Sequence, residues 1–184
     1  MSQLKPVASA PPPTRPSSAD VELLAVVQGA ELAVRDIYAD VIATGALSDE
    51  QLAVLAMFHD HHNEYAQALN GLLSKNAPNT PNQVLYSTFA SRAKSTATAL
   101  SVLHELENIL VSTHTDLLGR LVGLDGAKLV ASIVIVESRH AAVFGSTPEL
   151  IISAALNNES SSLLSAIPKT SAPAEISTTT TVAG

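Results

Sequence analysis

The sequence LVASIVIVESRHAAVF, from Leu129 to Phe144, decides the fold of this chain. An α-helix has 3.6 residues per turn, so Glu137 and His140 project together from the apolar face of this segment. A surface helix would carry its carboxylate on the opposite face. A buried carboxylate is strongly unfavourable unless a cation or a hydrogen-bond donor meets it. The segment therefore predicts a buried helix whose Glu137 meets a partner from elsewhere in the fold.

The composition favours packed helices over a sheet. Of the 184 residues, 46% are hydrophobic but only 3% are aromatic, and alanine and leucine are abundant. The length suits one domain with a sizeable core. The formal charge of -7 argues against nucleic acid or an anionic membrane surface as the main partner. Because the sequence has no cysteine, disulfides, thiolate zinc sites and cysteine nucleophiles are excluded.

No apolar run in the sequence is long enough to span a bilayer. The first twenty residues, MSQLKPVASAPPPTRPSSAD, also lack the apolar core of a signal peptide. We therefore expect a cytoplasmic protein without a membrane span, while export of a trimmed precursor stays open.

The chain divides into a helical domain and two polar ends. Residues 1–19 are expected to form a disordered Pro-rich arm, residues 20–156 the helical domain, and residues 157–184 a disordered Ser/Thr-rich tail. Ser17, Ser18 or Asp20 can cap a first helix that runs to about Ala43. A capping box at residues 48–51 predicts a second helix to about residue 74.

The remaining helices follow from similar signals. A second capping box at residues 80–83, with Pro81 at the first helical position, predicts a short helix that breaks within residues 91–98. A third core helix is expected from about Ala97 to Leu121, a fourth ending at Gly145, and a small extra helix over residues 147–156. The prediction is an all-α, antiparallel four-helix bundle with one or two short extra helices.

Each core helix carries polar residues inside its apolar stripe. Glu31 and His62 are 31 residues apart, and Glu107 and Glu137 are 30 apart, with similar apolar neighbours around each pair. This spacing predicts one layer of inward-facing groups on a shared axis, formed by Glu31, His62, Glu107, Glu137 and His140.

Carboxylates and imidazoles that converge inside a dry bundle suit a first-row transition metal. The oxygen content favours iron, with manganese as the other candidate. Two bridging carboxylates, together with terminal Glu and His ligands, would hold a pair of metal ions. The alternative for Glu137 and His140 is a buried ion pair or hydrogen bond that only fixes the packing of the helices.

Four segments resemble the motif helices of the bacterial ferritin-like domain proteins: GAELAVRDIY, FHDHHNEYAQAL, LENILVSTH and IVIVESRHAAVFG. The resemblance covers residues 20–156 and implies a ferritin-like bundle with Glu31, Glu107, Glu137 and His140 at metal-ligand positions. The second motif departs from the family pattern, because Glu-x-x-His is replaced by His62-x-x-Tyr65. This departure removes a bridging carboxylate.

The other histidines are given lesser roles. His59 lies one turn before His62 and could compensate in part for the missing ligand. His114 lies about 10 Å along the helix from Glu107, which is too far for the same metal ion. We expect it to support the ligands together with Tyr38. Two further histidines, His61 and His104, are expected to face solvent or a seam between helices.

Two functions remain open at this point. The first is a ferritin-like protein that binds iron (Fe2+/Fe3+), with ferroxidase-like oxidation of Fe(II) by dioxygen or peroxide as its activity. The second is a metal-free bundle with a degenerate site that serves as a structural or partner-binding module. Metal ions are the expected partners in the first case, and assembly into a homo-oligomer stays open in both.

Overall fold

The computed structural model describes residues 14–95 and 97–146. Within these ranges the chain forms five α-helices and one short 3₁₀ turn, with no strand. The helices are α1 (Ser18–Ala43), α2 (Asp49–Leu73), α3 (Gln83–Ala93), α4 (Ala99–Leu118) and α5 (Leu124–Gly145), and the turn is Ser74–Asn76. The predicted all-α helical bundle is confirmed. Most of the Pro-rich arm, the extra helix expected over residues 147–156 and the Ser/Thr-rich tail lie outside the described residues.

Capping boxes begin the first two helices. Ser17 caps α1, since its Oγ accepts a hydrogen bond from the backbone N–H of Asp20 and its own N–H donates to the Asp20 carboxylate. Ser48 and Gln51 form the same reciprocal pair at the start of α2, as the sequence predicts. α1 ends just before Gly45, whose φ of +60° turns the chain toward α2.

The predicted capping box at residues 80–83 is wrong. Asn82 caps α3 by accepting a hydrogen bond from the N–H of Leu85, so Pro81 lies before the cap and outside the helix. The backbone N–H of Asn82 donates to the carbonyl of Gly29 on α1 at 2.7 Å. This tertiary bond holds residue 82 in an extended conformation, and the helix therefore begins one residue later.

The long helices pack as two hairpins, α1 against α2 and α4 against α5, while α3 packs on α1 and α4. The break expected within residues 91–98 is present, because α3 ends at Ala93 and α4 begins at Ala99. α4 is shorter than the predicted range of 97–121 by two or three residues at each end. No helix in the described part of the chain is long and apolar enough to cross a bilayer.

Asp20 ties the start of α1 to the turn between α4 and α5. Its carboxylate accepts hydrogen bonds from the N–H groups of Val122 at 2.8 Å and Gly123 at 2.9 Å. The carbonyl of Thr14 also accepts from the N–H of Asp125. The fit is close, since a Cβ on Gly123 would lie 2.7 Å from the Arg15 carbonyl oxygen. This junction fixes where α1 sits along the second hairpin.

Two apolar clusters fill the bundle. The larger contains Val34, Phe58 and Phe144 among others, and the smaller contains Val27 and Leu69 among others. Along the helices, the buried polar residues lie between members of these two clusters. The polar groups are therefore closed off from water by apolar side chains on both sides.

Candidate metal centre

Six ionisable side chains meet in the middle of the bundle, and none is more than 1% exposed. Five of them are the residues that the sequence predicts to share one layer, and the sixth comes from α4. The six are Glu31, His62, Glu107, His114, Glu137 and His140.

The six residues form two groups rather than one layer. In each group, one potential ligand atom from every residue lies within 4.8 Å of the others. The first group is His62, Glu107 and His140, and the second is Glu31, His114 and Glu137. His62 links them, because its Nδ1 lies 2.8 Å from Oε2 of Glu31 and its Nε2 lies 3.1 Å from Oε1 of Glu107.

In the first group, Glu107 is held from both hairpins. The hydroxyl of Tyr38 on α1 donates a short hydrogen bond to its Oε1, the same oxygen that contacts His62. Its Oε2 lies 3.5 Å from Nδ1 of His140. The ring of Phe58 stacks on the imidazole of His140, with centroids 3.8 Å apart, and this fixes the plane of that imidazole.

In the second group, His114 lies between two carboxylates. Its Nδ1 is 2.8 Å from Oε2 of Glu137, and its Nε2 is 3.7 Å from Oε1 of Glu31. A shared proton satisfies the first contact. The second contact is too long for a hydrogen bond, so Nε2 and Oε1 face each other without one.

Unsatisfied atoms mark both groups. Among the described residues, six buried side-chain nitrogen or oxygen atoms lack a hydrogen-bond partner. Five of these belong to the two groups: Glu31 Oε1, Glu107 Oε2, His114 Nε2, Glu137 Oε1 and His140 Nδ1. Each buried polar atom without a partner costs about 1–3 kcal/mol. Such a concentration in one place is unusual for a folded protein.

A metal ion would satisfy these atoms. Two donors on one ion lie at most about 4.2 Å apart, which is twice a typical bond of about 2.1 Å. The separation of 3.5 Å between Glu107 Oε2 and His140 Nδ1 meets this limit, and so does the 3.7 Å between Glu31 Oε1 and His114 Nε2. The donor set therefore fits a metal, provided that small movements bring the third member of each group closer.

The charges in the first group compensate each other without a metal. Burial alone would lower the pKa of His62, but the carboxylates of Glu107 and Glu31 raise it well above its usual value. Burial alone would raise the pKa of Glu107, but the charges and hydrogen bonds of His62 and His140 lower it to about 2. His62 is therefore an imidazolium beside an ionised Glu107.

The second group is short of positive charge. Burial, together with the nearby Glu31 and Glu107 carboxylates, raises the pKa of Glu137 well above its usual value. Burial lowers the pKa of His114, which keeps its imidazole neutral. Burial and the same carboxylates raise the pKa of Tyr65 to about 12. Without a cation, Glu137 must hold a proton to remain in this interior.

His114 corrects the sequence interpretation. It is as far along α4 from Glu107 as expected, but it lies in the other group, against Glu31 and Glu137. The internal repeat carried a signal that would have found it. Tyr38 and His114 each follow the glutamate of their own helix by seven residues, and each faces the glutamate of the other hairpin.

His59 does not compensate for the missing ligand on α2. Its Nδ1 lies 3.0 Å from Oδ1 of the neighbouring Asp60, and its side chain is 29% exposed. His61, by contrast, lies in the seam between α2 and α5, where its Nδ1 is 2.9 Å from Nε2 of His140. The expectation of a seam position for His61 is confirmed.

A family model described as a ferritin-like domain matches residues 19–149, which is more than half of the chain. The chain belongs to the ferritin-like family. No curated protein and no solved structure gives a significant match.

Ferritin-like carboxylate bundles place a glutamate on each of two helices and a Glu-x-x-His motif on each of the other two. This ferritin-like chain keeps Glu31 on α1, Glu107 on α4 and Glu137-x-x-His140 on α5. On α2 it has His62-x-x-Tyr65 instead, so a buried imidazolium occupies the place of a carboxylate. His114 adds a nitrogen donor in the second group.

Proposed function

We propose that this protein binds iron (Fe2+/Fe3+), with manganese as the other candidate metal, in the interior of its bundle. The proposed ligands are Glu31, His62, Glu107, Glu137 and His140, and the geometry adds His114. The observation that carries the proposal is the set of five unpartnered ligand atoms that face one another in two groups. Mixed carboxylate and imidazole donors suit iron and manganese better than the softer metals.

Iron held by such ligands supplies one-electron chemistry with dioxygen or peroxide, so we propose Fe(II) oxidation as the activity. The protein contributes position and dryness. Tyr38 fixes the orientation of Glu107 through its hydrogen bond, and Phe58 fixes the plane of His140. Phe144 packs edge-on against Phe58 and helps to exclude water from this end of the site.

Anaerobic titration of the chelator-treated protein with Fe(II), followed by metal analysis after desalting, tests the proposal. We expect about two ions per chain, one for each group. Glu107→Gln should reduce the stoichiometry, because it removes a charged ligand while keeping the shape of the side chain. Glu105→Gln is the matched control, since Glu105 lies on the same helix but forms an exposed ion pair with Arg92. Wild-type protein that retains neither iron nor manganese would overturn the proposal.

The metal-free module is the second candidate, and one observation favours it. His62 already bridges Glu31 and Glu107, so part of the negative charge is neutralised without a metal. Under this alternative, added Fe(II) or Mn(II) should leave the Tm unchanged, whereas a metal that binds only the folded state must raise it. A thermal scan with and without metal, in protein first treated with chelator, separates the two candidates.

A further inference from the structure

We infer that His61 and His140 form an entry site for metal ions in the seam between α2 and α5. This inference rests on the proposed function, because it concerns the route by which an ion reaches the His62–Glu107–His140 group. It assigns a binding role to His61, which belongs to neither of the two groups.

The spacing of the two nitrogen atoms suits a shared ion. Nδ1 of His61 lies 2.9 Å from Nε2 of His140. Two ligands in neighbouring positions around a metal ion, with bonds of about 2.1 Å, are separated by about 3 Å. The two rings are nearly coplanar, at an interplanar angle of 3°, so both nitrogen atoms lie in the plane where an ion would bind.

The pair connects the surface with the interior. His61 is only partly buried, whereas His140 is 1% exposed. The carboxylates of Asp60 and Glu64 act electrostatically on His61 and give the outer end of the pair a negative field. Such a field raises the local concentration of cations.

His140 faces both sites. Its Nε2 contacts His61, and its Nδ1 lies 3.5 Å from Oε2 of Glu107, where neither atom has a hydrogen-bond partner. An ion at His61 is thus separated from the inner group by a single imidazole ring. Phe58 stacks on that ring and keeps its two nitrogen atoms aimed in these two directions.

Stopped-flow uptake of Co(II), followed by its visible absorption, measures the entry step independently of any oxidation. We expect His61→Ala to bind as many ions at equilibrium as the wild type but to take them up about tenfold more slowly, or slower still. His61→Gln keeps a polar group beside His140 but removes the imidazole ligand, and it should behave in the same way. His59→Ala is the matched control, since this histidine is on the same helix and pairs with Asp60 instead.

The outcomes distinguish this inference from the proposed function. Uptake at the wild-type rate by a folded His61→Ala or His61→Gln protein would overturn the entry site and leave the inner groups unaffected. Loss of one bound ion in both variants would also overturn it, because His61 would then be a permanent ligand. Wild-type protein that binds no Co(II), Fe(II) or Mn(II) would instead remove the proposed function itself.

Discussion

Nε2 of His62 lies 3.1 Å from Oε1 of Glu107, and both side chains are completely buried. The other ring nitrogen of His62 lies 2.8 Å from a carboxylate oxygen of Glu31. One imidazolium therefore bridges glutamates from the two hairpins. In the absence of a metal, this residue is the positive charge that makes the acidic interior tolerable.

Replacing His62 with leucine should destabilise the metal-free protein. The substitution keeps an apolar side chain of similar size but leaves two buried carboxylates without their cation. Removing one partner of a buried ion pair costs about 3–5 kcal/mol. Urea unfolding in the presence of EDTA measures the loss. His59→Leu, at a partly exposed position on the same helix, should change the free energy of unfolding by about 0.5 kcal/mol or less. Equal stability of both variants would contradict the role of the imidazolium.

Glu137→Gln should separate stability from metal binding. Because the pKa of Glu137 is raised well above its usual value, this residue is protonated in the metal-free protein at neutral pH. Glutamine resembles that neutral form in shape and polarity, so we expect the Tm in EDTA to stay close to that of the wild type. The charged ligand is lost, however, and the Tm increase on addition of Fe(II) should shrink.

The reverse pattern would contradict this view of Glu137. A large loss of Tm in EDTA would mean that the ionised carboxylate stabilises the metal-free fold. An unchanged Tm increase with Fe(II) would mean that Glu137 is not a ligand.

Asp20 should make stability depend on pH in the acid range. Burial opposes its ionisation, but hydrogen bonds from the N–H groups of Val122, Ser17 and Gly123 outweigh burial and lower its pKa. A lowered folded-state pKa contributes stability above the unfolded value of about 3.9, and this contribution is lost as the pH falls through the folded-state pKa. Asp20→Asn should therefore cost about 1–3 kcal/mol at pH 7, and less as the pH falls below the unfolded value.

Urea unfolding of wild type and Asp20→Asn at pH 7 and at low pH provides the measurement. Glu22→Gln is a suitable control, because Glu22 lies in the same turn of α1 and is exposed. A difference between wild type and Asp20→Asn that stays constant with pH would show that the carboxylate acts through its shape and not through its charge.

The helices and the buried acids could be predicted because both depend on local pattern. An apolar stripe interrupted by Glu31, Glu107 or Glu137 implies a buried carboxylate whatever the rest of the fold does. The start of α3 could not be predicted in this way, since Asn82 is fixed by a hydrogen bond to Gly29 on another helix. Local sequence contains no information on that contact.

The division of the polar residues into two groups depends on how the hairpins sit against each other. His114 lies two turns from Glu107, and distance along one helix argues for separating them. Only the packing of α1 and α5 around α4 brings Glu31 and Glu137 to His114. The match between Tyr38 and His114 in the internal repeat hinted at this arrangement, but a repeat does not give distances between helices.

Restoring the family pattern on α2 should increase the dependence of the fold on metal. The double variant His62→Glu with Tyr65→His creates a Glu-x-x-His motif on α2, opposite the one formed by Glu137 and His140. It also replaces the only imidazolium between Glu31 and Glu107 with a fourth carboxylate. We therefore expect a lower Tm than that of the wild type in EDTA and a larger Tm increase on addition of Fe(II) or Mn(II). Tyr65→His alone keeps His62 in place and serves as the control for the changed helix surface. If the double variant gained no more from metal than this control, the wild-type site would not be short of a ligand on α2.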